Sequence, residues 1–136
     1  MTDEKMIGRV REIFGDDGFS TSPSVLMGYT RDMWPRGTIS RVTGDFGGAQ
    51  PSMVVWPVTV NHVIDIVRLC RREKVPFVPV AAGSGVIGGA NPVQGGVMID
   101  MKRMNRLVSV DPVSMLATVE AGMNGMHLEE ALNEKG

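Results

Sequence analysis

A glycine-dense loop between two apolar runs constrains the fold of this chain more than any other feature. The apolar run 75–80 leads into the loop 80–89, which reads Val-Ala-Ala-Gly-Ser-Gly-Val-Ile-Gly-Gly, and a second apolar run follows at 97–100. Glycine permits positive φ and lets a ligand approach main-chain N–H groups, and several such groups in succession form a concave anion site. The loop therefore predicts a phosphate cradle between two strands.

Two common phosphate-binding motifs share glycines with this loop, and the flanking residues exclude both. Residues 83–88 match G-x-G-x-x-G, but that dinucleotide fingerprint needs a helix directly after the loop. No helix fits, because the segment 90–96 is short, contains Pro92 and ends in two glycines. No Lys-Ser or Lys-Thr pair follows Gly88, which excludes a Walker-type loop. What remains is a strand, a glycine loop and a strand that bind pyrophosphate without a helix dipole, or a glycine-rich connection with no ligand.

Hydrophobic spacing predicts a small parallel α/β lobe around the loop. The predicted elements are, in chain order, a helix over 3–14, a short helix from Ser22 to about Tyr29, a loop over 34–50, a strand over 52–56, a helix after Thr59, and strands over 76–80 and 97–100. A strand, a helix and a strand of this length predict a right-handed parallel crossover. Ligands of α/β sheets usually bind at the carboxyl edge, where the glycine loop begins.

The helix after Thr59 has a clear start and a clear apolar stripe. Thr59 is a good N-cap, whereas His62 stands where an acidic residue would complete a capping box, so we expect His62 at the solvated surface. One stripe of the predicted helix consists of Val60, Val63, Ile64, Val67 and Arg71, with Ile66 and Cys70 beside it.

The last part of the chain predicts the start of a second, antiparallel lobe. The runs 107–110 and 116–120 are typical of a β-hairpin, which Gly122 closes, and Asn124 is a plausible N-cap for a helix through Lys135. We therefore divide the chain into an N-terminal helical segment and loop (1–50), a parallel α/β lobe (51–106) and the incomplete second lobe (107–136).

Three ordered stretches resemble one family, the FAD-linked oxidases. These stretches are Val55-Trp-Pro-Val-Thr59, the loop and strand from Pro79 to Leu107 with Gly96-Val-Met-Ile-Asp100-Met-Lys-Arg-Met104, and Val119-Glu-Ala-Gly122-Met-Asn-Gly-Met-His-Leu128. The family includes vanillyl-alcohol oxidase, p-cresol methylhydroxylase, D-lactate dehydrogenase and the glycolate oxidase flavoprotein subunit. In addition, Tyr29-Thr-Arg-Asp32 resembles a Tyr-x-x-Asp pattern that precedes the flavin domain in the lactate and glycolate branch; an exposed tyrosine and a surface ion pair would explain it equally well.

The resemblance implies an α+β fold, the first part of an FAD-binding domain of the p-cresol methylhydroxylase (PCMH) type, with the rest of the second lobe and a substrate domain missing. It implies FAD as a dissociable cofactor, because the loop has no histidine for covalent attachment. The residues expected to contact FAD are Val80, Ala81, Ala82, Gly83, Ser84, Gly85, Val86, Gly88, Gly89 and Gly122. No residue is a convincing acid, base or nucleophile, so the catalytic residues stay unassigned.

The function implied by the resemblance is FAD binding within an oxidoreductase that transfers a hydride equivalent to FAD. The lactate and glycolate branch implies a 2-hydroxy acid as substrate, bound through the missing domain, and a fragment that is inactive alone or completed by a homo-oligomer or partner chain. Two alternatives remain. One is a flavoenzyme like the reductase that makes UDP-N-acetylmuramic acid, and the other is a non-catalytic interaction module that keeps the fold without FAD.

Charge and composition exclude other function classes. The formal net charge is −1, and Arg71-Arg72 is the largest basic cluster, which argues against a nucleic-acid partner. No apolar run approaches the length of a membrane span, and no His and Cys spacing indicates a metal site. The single Cys70 cannot form an internal disulfide, which favours a reducing, cytoplasmic location.

Overall fold

The computed structural model describes residues 4–30, 32–43 and 50–135. The helices are α1 (Glu4–Phe14), α2 (Pro23–Leu26), α3 (Pro35–Thr43), α4 (Val60–Glu73) and α5 (Gly125–Asn133). The strands are β1 (Phe19–Ser20), β2 (Met53–Val55), β3 (Phe77–Val80), β4 (Val97–Asp100), β5 (Leu107–Asp111) and β6 (Leu116–Val119). Short 3-10 turns cover Asp16–Gly18, Met27–Tyr29 and Met101–Arg103.

The described strands form two sheets. The first has the order β1-β2-β4-β3, in which β4 pairs parallel with both β2 and β3, and the short β1 runs antiparallel to β2. The second is the antiparallel hairpin of β5 and β6. The predicted parallel strands and the predicted hairpin are therefore confirmed, and so is the α+β class. The chain enters the glycine loop from β3, an edge strand of the first sheet, and returns through β4.

The two faces of the first sheet have different roles. On one face, the core combines sheet residues with residues of α1 and α4, namely Met6, Val10, Met53, Val55, Ile66, Leu69, Cys70, Val97 and Ile99. Side chains alternate along a strand, so Val54, Met98 and Asp100 point to the opposite face, where they are also buried. Val80 pairs directly with Asp100 and shares that face. The second face therefore carries a buried carboxylate beside the point where the glycine loop begins.

Helix α4 confirms the predicted cap and corrects the predicted face. The Thr59 hydroxyl accepts a hydrogen bond from the His62 N–H at 3.2 Å, as an N-cap does. However, Val60 is 63% exposed and Ile64 is 38% exposed, whereas Ile66, Leu69 and Cys70 are buried. The helix is rotated from the predicted orientation because the side chains beside the stripe fill the core against α1 and the sheet.

His62 is not the solvated surface residue that the sequence suggested. Its ring is half-buried and contacts Phe14 edge-on, with 5.1 Å between the ring centroids. Its Nδ1 accepts a long hydrogen bond of 3.5 Å from the Val58 N–H. His62 therefore packs α1 against the start of α4.

The segment predicted as a loop over 34–50 contains helix α3, so the loop prediction is wrong for residues 35–43. Pro35 occupies the first helical position, where its fixed φ suits a helix and its missing N–H needs no partner. The helix escaped detection because glycine, serine and two threonines lower its propensity and because its apolar side chains Ile39 and Val42 stay exposed. Residues 44–49 lie outside the described part.

The hairpin and α5 bury few of their side chains within the described residues. The Asn124 side chain accepts a hydrogen bond from the Met126 N–H at 2.9 Å, which confirms the predicted cap of α5. Side chains along the hairpin, including Val108, Val113 and Leu116, are mostly exposed. None of the helices in the described residues is long and apolar enough to cross a membrane.

Candidate cofactor site

A cavity of about 220 Å³ lies at the carboxyl edge of the parallel strands. The end of β3 and the first half of the glycine loop form one wall, with Val80, Ala81, Ala82 and Gly83. Tyr29, Asp32 and Met33 line the opposite side, and Met98 and Lys102 contribute from β4 and the turn after it. The cavity thus occupies the place that parallel α/β sheets commonly use for ligands.

The loop wall presents main-chain donors that the chain itself does not use. The main-chain N–H groups of residues 82–90 donate no hydrogen bond to any acceptor among the described residues. Gly83 has φ +67°, a left-handed conformation that favours glycine, and a Cβ built there would meet nothing within 4 Å. The loop therefore offers several free N–H groups beside open space, as an anion-binding nest requires.

A part-buried hydrogen-bond network around the buried Asp100 carboxylate fixes the wall opposite the loop. The Tyr29 hydroxyl donates to Asp100 Oδ2 at 2.6 Å and accepts from Trp56 Nε1 at 3.1 Å. Lys102 Nζ lies 3.2 Å from the same carboxylate oxygen, and the Lys102 main-chain N–H donates to Asp100 Oδ1 at 3.0 Å. Burial, followed by the hydrogen bond to Asp100, raises the pKa of Tyr29 to about 12. At pH 7 the tyrosine hydroxyl is therefore protonated, and its role in the chain is to connect Asp100 with Trp56.

The segment 32–34 ties the glycine loop to the rest of the domain. The Asp32 N–H donates to the side-chain oxygen of Asn91, and the Met33 N–H donates to the Gly85 carbonyl, both at 2.9 Å. The Trp34 ring lies under Gly88, where a Cβ would come within 2.8 Å of a ring carbon. This contact explains why Gly88 cannot carry a side chain without displacing the tryptophan.

The structure brings together part of the predicted site. Val80, Ala81, Ala82 and Gly83 line the cavity, and the remaining loop residues, Ser84, Gly85, Val86, Gly88 and Gly89, continue the same loop beyond it. Gly122 does not line the cavity. Its N–H donates to the Met104 carbonyl at 2.8 Å, and a Cβ would lie 1.9 Å from the Met101 carbonyl oxygen. Gly122 therefore has a packing role that is independent of any ligand.

Sequence reasoning missed several residues of the cavity wall. Asp32, Met33, Met98 and Lys102 were not among the predicted site residues, although each lines the cavity. The Tyr-x-x-Asp pattern at 29–32 was the available signal, and its tyrosine and aspartate both lie at the site. No local sequence pattern marks Met98 or Lys102 as a site residue. Strand β4 and the turn after it come to lie beside the loop only because β4 pairs with β3.

Comparison with known proteins identifies the family. Residues 51–136 match the FAD binding domain family. The chain belongs to this family of FAD-binding domains. It is 27% identical over 133 residues to the probable mitochondrial D-lactate dehydrogenase of Danio rerio, covering 98% of this chain and 25% of that protein. It is 29% identical over 132 residues to the 4-cresol dehydrogenase flavoprotein subunit of Pseudomonas putida, covering 96% of this chain and 24% of that protein.

Solved structures agree with this assignment. An alkyldihydroxyacetonephosphate synthase structure superposes with a TM-score of 0.91 and 26% identity, covering 100% of this chain and 26% of the other. The predicted PCMH-type fold, the family resemblance and FAD as the cofactor are thereby confirmed. The chain spans about a quarter of the length of the relatives that it matches.

The residues of this FAD-binding domain suit the cofactor. FAD has a pyrophosphate, which needs hydrogen-bond donors when water is removed, and the N–H groups of residues 82–90, which have no acceptor among the described residues, are donors of that kind. The open space at Gly83 leaves room for the ligand where a side chain would stand. The cavity of about 220 Å³ has room for a portion of the cofactor beside the loop, not for the whole molecule.

Proposed function

We propose that this FAD-binding domain holds the pyrophosphate of FAD, without a covalent bond, on the main-chain N–H groups of the loop 80–89, within an oxidoreductase that oxidises a 2-hydroxy acid. The observation that carries the proposal is the row of unused N–H groups at the carboxyl edge of the sheet, next to the cavity. The loop contains no histidine or cysteine, which supports dissociable binding. The similarity to the D-lactate dehydrogenase over nearly the whole chain supports the substrate class.

The residues of this chain would bind and orient the cofactor and leave the chemistry to it. When bound, FAD supplies the acceptor for a hydride equivalent. The N–H groups of the loop hold the negative charge in place, and the Tyr29 to Asp100 network keeps the opposite wall rigid. We propose no acid or base among the described residues, because the paired titratable side chains at the cavity, those of Tyr29, Asp100 and Lys102, are bonded to one another. We place the boundary between the two lobes at residue 106.

A calorimetric titration of the full chain with FAD, and with FMN for comparison, tests the proposal. The variant Gly83→Leu places a side chain on a cavity-lining residue. Gly15→Leu is its matched control, because Gly15 has φ +68° and, like Gly83, nothing within 4 Å of a built Cβ. Gly15 has φ 68° and ψ −178°, a backbone conformation that is nearly restricted to glycine, so its variant controls for the strain of a side chain at a positive φ. Thermal unfolding without ligand establishes that both variants are folded.

We expect FAD to bind more tightly than FMN, Gly83→Leu to weaken FAD binding at least about tenfold by excluding the ligand, and Gly15→Leu to bind like the wild type. Equal FAD affinity in both variants would show that the loop is not the binding site. For the substrate class, the visible spectrum of the FAD-loaded oxidoreductase that contains this domain is followed after anaerobic addition of D-lactate or 4-cresol. Bleaching by the cresol alone would contradict the 2-hydroxy acid assignment.

A further inference from the structure

One buried carboxylate oxygen at the edge of the cavity has no hydrogen-bond donor. Asp32 is 3% exposed, and within the described residues its Oδ2 atom has no partner. The residue also lines the cavity. Leaving a buried carboxylate oxygen without a donor is costly, and such an atom in a folded protein commonly meets a ligand or an ordered water.

The main-chain N–H of Asp32 and its other carboxylate oxygen both form hydrogen bonds that hold the side chain in one position. The Asp32 N–H donates to Asn91, and Oδ1 accepts from the Trp34 N–H at 2.9 Å. With these bonds in place, Oδ2 lies beside the middle of the glycine loop, 3.4 Å from the position that a Cβ would take on Gly85. The free oxygen is therefore directed at the loop that we assign to the pyrophosphate.

The nearest described cation at the cavity does not satisfy this oxygen. Lys102 lines the same cavity, but its ammonium group is paired with Asp100 at a distance of 3.2 Å. A carboxylate accepts hydrogen bonds and repels phosphate oxygens, so the ligand group that suits Asp32 is a neutral donor. Because Oδ2 stands beside the phosphate loop, the donor must lie close to the phosphates. In FAD the nearest neutral donors to the phosphates are the hydroxyl groups of the ribose and of the ribityl chain.

We propose that Asp32 Oδ2 accepts a hydrogen bond from a sugar hydroxyl of the bound dinucleotide and thereby sets the position of the cofactor along the glycine loop. This inference rests on the proposed function, since it assigns a further contact within the same site. Asp32 then acts as a binding residue for the sugar, and the loop N–H groups act on the adjacent phosphates. The carboxylate also selects against nucleotides that carry a phosphate on that hydroxyl.

The test measures the affinity of the full chain for FAD, ADP and FMN by calorimetry, in the wild type and in Asp32→Asn. The asparagine keeps an oxygen for the Trp34 N–H and replaces the free acceptor with an amide NH₂ group. Asp65→Asn is the matched control, because Asp65 is exposed on α4 and the substitution removes the same charge. Thermal unfolding of the variants without ligand establishes that each is folded.

We expect Asp32→Asn to weaken FAD binding about tenfold, which is the usual effect of losing a hydrogen bond to a charged group, and Asp65→Asn to leave it unchanged. A loss for ADP with FMN unaffected would assign the ribose, and the reverse would assign the ribityl chain. In the first case, wild-type protein should also bind 2′-deoxy-ADP or 3′-deoxy-ADP more weakly than ADP, whereas Asp32→Asn should not distinguish them. The comparison of ADP with its deoxy forms in the wild type needs no substitution in the protein.

Unchanged affinity for all three ligands in Asp32→Asn would overturn the inference and leave the proposed function intact, since a water would then satisfy Oδ2. An equal loss in Asp65→Asn would also overturn it, because the effect would be one of net charge. Failure of the wild type to bind FAD would overturn the proposed function and this inference together.

Discussion

The glycine-rich segment between β3 and β4 has two halves that both contain glycines and that differ in what determines their conformation. The second half, 91–96, is held by the protein itself, because the Gly95 N–H donates to the Pro92 carbonyl and the Gly96 carbonyl accepts from the Ser52 N–H. In the first half, 81–90, the N–H groups of residues 82–90 donate to no acceptor among the described residues, and the contacts that hold it are made through the Gly85 carbonyl, which accepts from Met33, and through Trp34 against Gly88. The second half completes the sheet, whereas the first half is shaped for a ligand outside the chain.

This difference shows that glycines in one segment can be required for different physical reasons. At Gly96, a Cβ would stand 2.0 Å from the Pro76 carbonyl oxygen, so the residue is required by contact between two segments of the backbone. At Gly83, a Cβ would meet nothing, so the only local requirement is the positive φ. Substitutions at these two positions should therefore affect different properties, namely folding stability at Gly96 and ligand binding at Gly83.

The largest expected effect is that of Gly96→Ala on folding. The new methyl group would overlap the Pro76 carbonyl, and φ +82° strains any residue with a Cβ. Relieving the overlap separates β3 from the segment before β4, so we expect a loss of at least about 3 kcal/mol in the free energy of unfolding. Urea unfolding followed by circular dichroism measures this loss.

Gly83→Ala is the control for that experiment, because it carries the positive φ without the overlap. We expect it to lose only about 1 kcal/mol. Equal losses in the two variants would mean that the backbone angle alone determines both positions, and the distinction between the two halves would fail.

The sequence predicted the elements whose signals are local. Thr59 and Asn124 were recognised as caps, and the three parallel strands and the hairpin followed from short apolar runs between glycine and proline residues. Helix α3 was missed, because its residues show no sustained period and several of them have low helix propensity. The face of α4 was misjudged, because nothing near Val60 or Ile64 indicates which side of the helix α1 will cover.

The candidate site likewise contains residues that a local sequence signal revealed and residues that no such signal revealed. The loop 80–89 was found because its glycines are contiguous, but Asp32 was considered an equal candidate for a surface ion pair. Its burial depends on Asn91, a residue 59 positions away, and on the loop that folds over it. Such contacts leave no pattern in a single sequence. Gly122 was assigned to the cofactor, and its contact with the Met101 carbonyl became visible only in the folded chain.

An intermediate effect is expected from Tyr29→Phe, which tests whether the wall facing the loop is preorganised. The substitution removes the hydroxyl that donates to Asp100 and accepts from Trp56. Asp100 keeps its bonds to Lys102, whereas the indole N–H loses its partner. We expect a loss of about 1–2 kcal/mol in the free energy of unfolding, together with weaker FAD binding.

The control for Tyr29→Phe is Ser114→Ala in the hairpin. It also removes a hydroxyl that donates to a carboxylate, that of Asp111, but at an exposed position. A change within about 0.5 kcal/mol is expected there. If the serine variant lost as much as the tyrosine variant, burial of the network would have no special importance for the site.

The smallest expected effect is a loss of stability at alkaline pH. It has one contribution from the core, through Cys70, and one from the cavity wall, through Tyr29, and the two occur over different pH ranges. Burial raises the pKa of the Cys70 thiol from 9.0 to about 11, and burial with the Asp100 hydrogen bond raises the pKa of Tyr29 from 10.0 to about 12. Each group in the folded chain holds its proton at pH values where the unfolded chain has lost it. The folded state then binds more protons, so stability falls as pH rises. The contribution of Cys70 is complete below pH 9 and is lost towards 11, and that of Tyr29 is complete below pH 10 and is lost towards 12.

Comparing variants isolates these contributions from the lysines that titrate over the same range. Urea unfolding is measured below pH 9 and at steps up to pH 11 for the wild type, Cys70→Ala and Tyr29→Phe. We expect Cys70→Ala to flatten the decline between pH 9 and 11 by on the order of 1 kcal/mol, after allowance for solvent screening. Tyr29→Phe should change the decline only above pH 10. A Tyr29→Phe curve that stayed parallel to that of the wild type above pH 10 would show that the tyrosine ionises in the folded chain at its ordinary pKa, and that the wall opposite the glycine loop is open to water.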